Sequence, residues 1–253
     1  MEVRCGARVI LLDAGTGIRP FGLAFDQEGH ESLDLLVSHR HMDHLQGFPF
    51  FNPLYRKSTR LRVYMPPHGP TDPFAALRRT MEEPVFPVSF EYIPSQIDLR
   101  VLNGAFKVGD VSVKTMPVNH PGGCTAFRLE YQGRSLVYMT DHEPYSRRYG
   151  AQVEQAVLDE QIREFARGAE LLVRESQYTN EEYSAKRGWG HGTFEDAVLD
   201  ALAVDVKRLA LFHHDPMHDD QFLEHELAML HQRFAASELE IFLAREGQRV
   251  ELA

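Results

Sequence analysis

The chain contains few cysteines and few positive charges, and it lacks any long apolar run. Only two of its 253 residues are cysteines, which is too few for a disulfide framework and is typical of a reducing compartment. The 27 Lys and Arg residues face 37 Asp and Glu, so the net charge is -10. An acidic surface repels phosphate backbones, and we therefore expect no large nucleic-acid interface. No apolar stretch is long enough for a bilayer and the start shows no signal-peptide pattern, so we expect a cytoplasmic protein without a membrane partner.

The hydrophobic periodicity predicts a single domain, residues 1–253, of layered α/β architecture. Alternation with period two predicts antiparallel strands between Val88 and Met139, with a hairpin turn at the segment YQGR. The predicted strands of this region are VSFEYI, DVSVKTM, TAFRLEYQG and RSLVYMTD. After Tyr149, helical patterns alternate with short strands, and the last predicted strands are ELEIFLAREG and QRVELA. Strand blocks with helices on their outer faces indicate packed layers.

A dense histidine cluster follows one apolar strand. The segment LLVSHRHMDHLQG places three histidines and an aspartate within six residues. Imidazole nitrogens and carboxylate oxygens are natural ligands for zinc and similar ions. On an extended loop, His39 and His41 point the same way, while Asp43 and His44 turn toward a second position. One short loop can therefore serve two metal ions, and the alternative is a chance cluster on a solvated loop.

Three further candidate ligands also lie at the carboxyl ends of predicted strands, where ligand sites of α/β layers collect. His120 could instead bind backbone in a turn, and Asp141 could be a turn or N-cap residue. His213 and His214 are adjacent, and side chains alternate along a strand, so only one of the two faces the site easily. The register of the motif favours His213.

The segment SHRHMDH after an apolar strand resembles the signature of the metallo-β-lactamase superfamily. The resemblance continues in order through DAGTG, VNHPGG, YMTDHE, GWGHGT and LFHHDP. Within the superfamily, the chain looks most similar to the phosphodiesterase branch, which includes ribonuclease Z and cyclic-phosphate phosphodiesterases. The resemblance implies an αββα four-layer sandwich that binds two divalent metal ions at one edge, zinc first and manganese or iron as alternatives.

The resemblance also implies a role for each candidate residue. The first metal ion would take His39, His41 and His120, and the second would take Asp43, His44 and His213. Asp141 would bridge the two ions, and Asp43 would also orient the metal-bound hydroxide that attacks the substrate.

His191 lies outside this ligand set and just before a predicted helix, with Thr193 as its expected N-cap and Asp196 three residues later. The resemblance implies that His191 contacts the substrate phosphate and protonates the leaving oxygen. The alternative is a loop histidine that makes a capping bond. Asp13 is expected to orient a metal ligand or to cap a turn. Trp189 could stack on a base, although packing is the more common role.

Two departures from the family pattern affect the expected substrate. Relatives usually begin with an additional strand and a glycine-rich loop, so the sheet is expected to lack that strand unless the start is trimmed. The chain also has no Gly/Lys-rich arm of the kind that ribonuclease Z uses to hold tRNA.

The expected function is a dinuclear metal-dependent phosphodiesterase acting on a small or cyclic phosphodiester. The alternatives are a tRNA 3′-processing endoribonuclease, an ester, thioester or lactam hydrolase, and a non-catalytic binding protein. A homodimer is left open.

Overall fold

The computed structural model of the chain describes residues 1–252. The chain divides into two compact units, Met1–Gly109 and Asp110–Ala253. Within the described residues, no helix is both long enough and apolar enough to cross a membrane.

The first unit contains a five-stranded sheet in which strand order follows chain order. The first two strands form an antiparallel hairpin, and each later strand pairs in parallel with the one before it. The strands are β1 (Glu2–Cys5), β2 (Arg8–Leu12), β3 (Ser32–Leu36), β4 (Arg60–Met65) and β5 (Gln96–Val101), followed by the short β6 (Phe106–Val108). The helices are α1 (Ile18–Glu28) and α2 (Ala75–Arg79).

Helix α1 covers the apolar core of this unit. It buries Ile18, Gly22 and Phe25 at helical spacing, as expected for one apolar stripe. It ends at Gly29, whose φ of 74° lies in the left-handed region that glycine adopts without a steric penalty.

The second unit contains strands that lie in the order β12-β11-β10-β9-β8-β7. Neighbours from β7 to β9 are antiparallel, and neighbours from β9 to β12 are parallel. The strands are β7 (Val111–Val118), β8 (Cys124–Tyr131), β9 (Arg134–Met139), β10 (Leu171–Glu175), β11 (Arg208–Phe212) and β12 (Glu240–Leu243). The helices are α3 (Tyr145–Tyr149), α4 (Val153–Phe165), α5 (Asn180–Lys186), α6 (Phe194–Ala203) and α7 (Asp220–Arg233).

Local sequence signals predict several of these boundaries correctly. The turn between β8 and β9 has Gln132 at φ 48° and Gly133 at φ 79°, which is the conformation of a tight hairpin turn. Helix α6 begins after Thr193, whose side chain accepts from Asp196 N while the Asp196 side chain accepts from Thr193 N. The predicted hairpin and the predicted cap are both present.

Two predicted strands are wrong, and two strands, β5 and β6, were missed. The segment VSFEYI forms a short 3-10 helix, Phe90–Tyr92, because the flanking Pro87 and Pro94 have no amide hydrogen to donate to a sheet. The strand of this region is β5, which pairs in parallel with β4. The predicted strand QRVELA is also absent from residues 248–252, and Ala253 lies outside the described residues.

Candidate metal centre

Four of the predicted metal ligands lie on the loop after β3. His39 and His44 are buried, whereas His41 and Asp43 are exposed. The ring centre of His39 lies 4.6 Å from that of His41 and 4.1 Å from that of His44. The Nε2 atom of His44 lies 3.3 Å from Asp43 Oδ2. The first unit therefore brings these four side chains together.

Asp13, at the end of β2, orients two of these histidines. Its Oδ2 atom lies 2.8 Å from His44 Nδ1 and accepts the Ser38 hydroxyl at 2.8 Å. The Ser38 oxygen lies 3.0 Å from His39 Nδ1, and the Ser38 amide donates to Asp13 Oδ1 at 2.7 Å. Hydrogen bonding at Nδ1 fixes the ring orientation and makes Nε2 the ring nitrogen that could bind a metal ion. This placement agrees with the expected orienting role of Asp13.

Two glycines, Gly15 of the DAGTG segment and Gly47, allow the loop that carries the candidate ligands to pack closely against the end of β2. A Cβ atom at Gly15 would lie 2.6 Å from the Asp43 carbonyl oxygen, and one at Gly47 would lie 2.0 Å from the Gly15 carbonyl oxygen. Both separations are shorter than any real Cβ contact. Glycine at these two positions is therefore required for the close packing of this loop.

In the second unit, the carboxyl ends of four strands meet at one edge of the sheet. Strands β9, β10 and β11 are parallel neighbours. Strand β7 runs in the same direction, because β7 and β9 are both antiparallel to β8. This arrangement brings together the residues that follow β7, β9 and β11, which are His120, Asp141 and His213.

Asp141 faces a histidine with each of its carboxylate oxygens. Its Oδ2 atom lies 3.6 Å from His120 Nε2, and its Oδ1 atom lies 3.4 Å from His213 Nε2. Two ligand atoms of a tetrahedral zinc ion, each about 2.0–2.1 Å from it, lie roughly 3.3–3.4 Å apart. The donor types and separations therefore fit divalent metal ions on both sides of this carboxylate.

The Nδ1 atoms of both histidines are held by other groups. His120 Nδ1 lies 2.8 Å from the Gly190 carbonyl oxygen, and His213 Nδ1 lies 3.2 Å from Gln177 Oε1. Both rings therefore present Nε2 toward Asp141, as metal-binding histidines with an oriented ring do.

The structure places His213, and not its neighbour, beside Asp141. Strand β11 ends at Phe212, and His213 has a φ of 55°, so a turn of the backbone directs this ring, in place of the strand alternation that the sequence suggested. Such left-handed non-glycine residues cluster at functional sites. His214 stacks on Phe194 with ring centres 6.0 Å apart, and burial lowers the pKa of His214 to about 4.

His191 lies against the candidate ligands of the second unit. Its ring centre is 5.1 Å from that of His120 and 5.2 Å from that of His213, and the His191 and His213 rings are stacked. One donor atom each of His191, Asp141 and His213 lies within 4.8 Å of the other two. His191 therefore lies beside Asp141 and the histidines that follow β7 and β11.

Two buried glutamates hold the loop that carries His191, and the sequence reasoning missed both. Glu143 accepts from Gly188 N at 2.8 Å and from Gly190 N at 3.1 Å. Glu175 accepts from Gly192 N at 2.6 Å, and its Oε2 atom lies 3.9 Å from His191 Nδ1. Burial raises the pKa of Glu175, against the opposing charge of Arg174.

A sequence signal for both glutamates existed. Glu175 ends the apolar strand β10 in the same way that Asp141 follows β9, and Glu143 stands two residues after Asp141. Acidic residues at successive strand ends could have been grouped with the ligands, but nothing local indicates that their partners are the amides of a distant loop.

The family model described as "Beta-lactamase superfamily domain" matches residues 8–214. The chain belongs to this superfamily. The ribonuclease Z of Brevibacillus brevis is 34% identical over 111 residues, which are 42% of this chain and 30% of that enzyme. The ribonuclease Z of Sulfurisphaera tokodaii is 32% identical over 91 residues, which are 35% of this chain and 30% of that enzyme. The match thus spans less than a third of either of these two relatives.

Three solved structures resemble the chain over nearly its whole length. A diphosphatase from the PhnP family has a TM-score of 0.65 and 19% identity, with 100% of this chain and 83% of that chain covered. The metallo-β-lactamase fold protein YhfI from Bacillus subtilis has a TM-score of 0.68 and 16% identity, with 98% and 88% covered. The short form of human tRNase Z has a TM-score of 0.63 and 18% identity, with 100% and 91% covered. The predicted αββα fold class of the metallo-β-lactamase type is confirmed.

Proposed function

We propose that the protein is a dinuclear, metal-dependent hydrolase of phosphodiesters, and that its substrate is a small or cyclic phosphodiester. The observation that carries the proposal is the single Asp141 carboxylate, whose two oxygens face the Nε2 atoms of two different histidines. A carboxylate placed between two divalent ions would offset the repulsion between these cations.

The ligand assignment of the proposal follows the pattern of the superfamily. One ion would take two histidines of the β3 loop and the histidine after β7, and the other would take the aspartate and last histidine of that loop with the histidine after β11. The seven ligands are His39, His41, Asp43, His44, His120, Asp141 and His213. Two divalent ions in this arrangement supply a nucleophile at neutral pH and neutralise charge on the phosphoryl oxygens. Zinc suits these ligands, and manganese and iron also accept carboxylate-bridged nitrogen and oxygen sites.

Side chains of the protein then orient the attacking water and protonate the leaving group. Asp43, exposed on its loop, orients the attacking water by accepting a hydrogen bond from it. His191 contacts the substrate phosphate and donates a proton to the leaving oxygen, a role worth about 10²–10⁴-fold in rate. Glu175 holds the His191 loop through Gly192 N, so that the imidazole stays beside Asp141.

Removal of His191 tests this assignment. We expect His191→Ala to retain its metal ions and to lose rate on diesters with alkoxide-like leaving groups. The loss should be much smaller with a p-nitrophenolate leaving group, which departs without a proton. An equal loss on both substrates would assign His191 to phosphate positioning, and no loss on either would favour an ester, thioester or lactam as the substrate.

The identity to two ribonucleases Z supports tRNA 3′-processing as a second candidate function. The net charge of -10 favours the small substrate over RNA. Precursor tRNA cleavage with a steep dependence on salt concentration would favour the nuclease. A cytoplasmic location also belongs to the proposal and is supported by the low cysteine content.

A further inference from the structure

The only tryptophan of the chain is exposed beside the His191 loop. Trp189 leaves 58% of its surface exposed to solvent, whereas a tryptophan with a packing role is mostly buried. It stands two residues before His191, and two residues of chain span at most about 7 Å. That reach is comparable to one ribose between a phosphate and its base. The backbones of Trp189 and His191 are therefore close enough for a single nucleotide to span them.

The backbone on both sides of Trp189 is fixed. The flanking Gly188 and Gly190 have φ values of 85° and 98°, and their amides donate to the two carboxylate oxygens of the fully buried Glu143. The Trp189 amide itself donates to the Lys186 carbonyl oxygen at 3.0 Å. An aromatic side chain on a backbone held at three successive amides loses little entropy when a flat ligand binds.

Lys186 covers one face of the indole. Its Nζ atom lies 4.2 Å from the centre of the Trp189 ring and 5.8 Å from the centre of the Tyr178 ring. Tyr178 is buried and meets the His191 ring edge-on, with ring centres 6.0 Å apart. The cation therefore contacts both the exposed ring and the ring beside His191, and a planar ligand would stack on the face of Trp189 that Lys186 leaves uncovered.

Two basic residues precede the tryptophan in a chain whose net charge is -10. Lys186 and the exposed Arg187 come directly before the Gly-Trp-Gly segment. An exposed aromatic ring with adjacent cations is the combination that binds a nucleobase and its phosphate, because every base has a face that stacks and its backbone carries negative charge.

We propose that Trp189 is the base-binding platform of the substrate site, and that the substrate is a phosphodiester of a nucleoside. This inference rests on the proposed function, because it takes the phosphate to be held at His191. It narrows the substrate class from any small phosphodiester to one that carries a purine or pyrimidine ring.

A binding measurement tests the platform without any activity. Trp189 is the only source of indole emission, so its fluorescence in the metal-replete protein reports a base stacked on it. We expect adenosine 5′-monophosphate to quench the emission saturably and to protect it from acrylamide. Ribose 5-phosphate, which lacks the base, should do neither. Equal effects of the two compounds, or no effect of either, would overturn the proposal.

A kinetic comparison provides the second readout. We expect Trp189→Ala to raise the ratio of the KM for a cyclic nucleotide to the KM for a base-free cyclic ribose phosphate roughly 10- to 100-fold. Trp189→Phe should restore most of the original ratio. The matched control is Tyr149→Ala, because Tyr149 is 54% exposed and also has a cation beside its ring, that of Arg148. An unchanged KM ratio in Trp189→Ala would refute the platform even if the protein is a phosphodiesterase. If the protein proves not to be a phosphodiesterase, the fluorescence test still decides whether Trp189 binds a base.

Discussion

Replacing Glu143 with glutamine is expected to release the loop before α6. The fully buried carboxylate accepts from the Tyr183 hydroxyl at 2.6 Å and from Gly188 N at 2.8 Å through Oε1, and from Gly190 N at 3.1 Å through Oε2. A glutamine amide has only one acceptor oxygen, so its NH₂ group must face at least one of these donors. The variant therefore loses one hydrogen bond and weakens the other two.

The size of the effect follows from the charge of the acceptor. A hydrogen bond to a charged group contributes about 1.5–3 kcal/mol, and one between neutral groups about 1 kcal/mol. The variant loses one hydrogen bond, and two others change from a charged to a neutral acceptor. Together these changes lower the free energy that holds the loop closed by roughly 3–6 kcal/mol. Since about 1.4 kcal/mol corresponds to a factor of ten, the loop should open at least about 100-fold more often.

Hydrogen exchange of the Gly188 and Gly190 amides measures this opening directly. We expect both amides to exchange at least about 100-fold faster in Glu143→Gln, and Trp189 emission to become more accessible to acrylamide. The matched control is Glu181→Gln, because Glu181 is exposed on α5. Exchange in Glu143→Gln that matches the wild type would refute the reasoning that this carboxylate holds the loop.

Three further outcomes are expected. Protein purified without chelator should contain about two divalent metal ions per chain, and Asp141→Ala should lose metal and activity together; elemental analysis that finds less than one equivalent after metal addition would contradict this. Metal retention should fall in His213→Ala and persist in His214→Ala, because only the first ring faces Asp141; loss in the second variant alone would reverse the assignment. Burial raises the pKa of Asp200 from 3.8 to about 6, so the native state binds this proton more tightly than the unfolded state and stability falls as the pH rises from about 4 to 6. Asp200→Asn should flatten that part of the urea-midpoint profile, and an unchanged slope would disprove this origin.

The loop with four candidate ligands, its place after an apolar strand, the hairpin turn at Gln132 and Gly133, and the cap at Thr193 could all be predicted from the sequence. Each depends on neighbours within a few residues, so spacing and local hydrogen bonding are sufficient to indicate it. The order of the motifs likewise indicated the superfamily, and the match over residues 8–214 agrees.

The predicted strand VSFEYI shows where local alternation misleads. The same period-two pattern arises in a turn bounded by prolines, and the competing segment Gln96–Val101 becomes a strand only because β4 offers it a parallel edge. Pairing partners that are distant in sequence decide such cases, and no local pattern reports them.

Tertiary structure alone decided which polar residues became partners. Glu143 and Glu175 are unremarkable in sequence, but the parallel order of β9, β10 and β11 buries them beside the loop whose amides they accept. It also decided that His213 turns toward Asp141 through a left-handed backbone. It left Trp189 exposed, although a lone tryptophan usually packs inside. Burial and long-range hydrogen bonds depend on which strands become neighbours. The pairing of strands is decided by the free energy of the whole fold, and no single segment of the sequence encodes it.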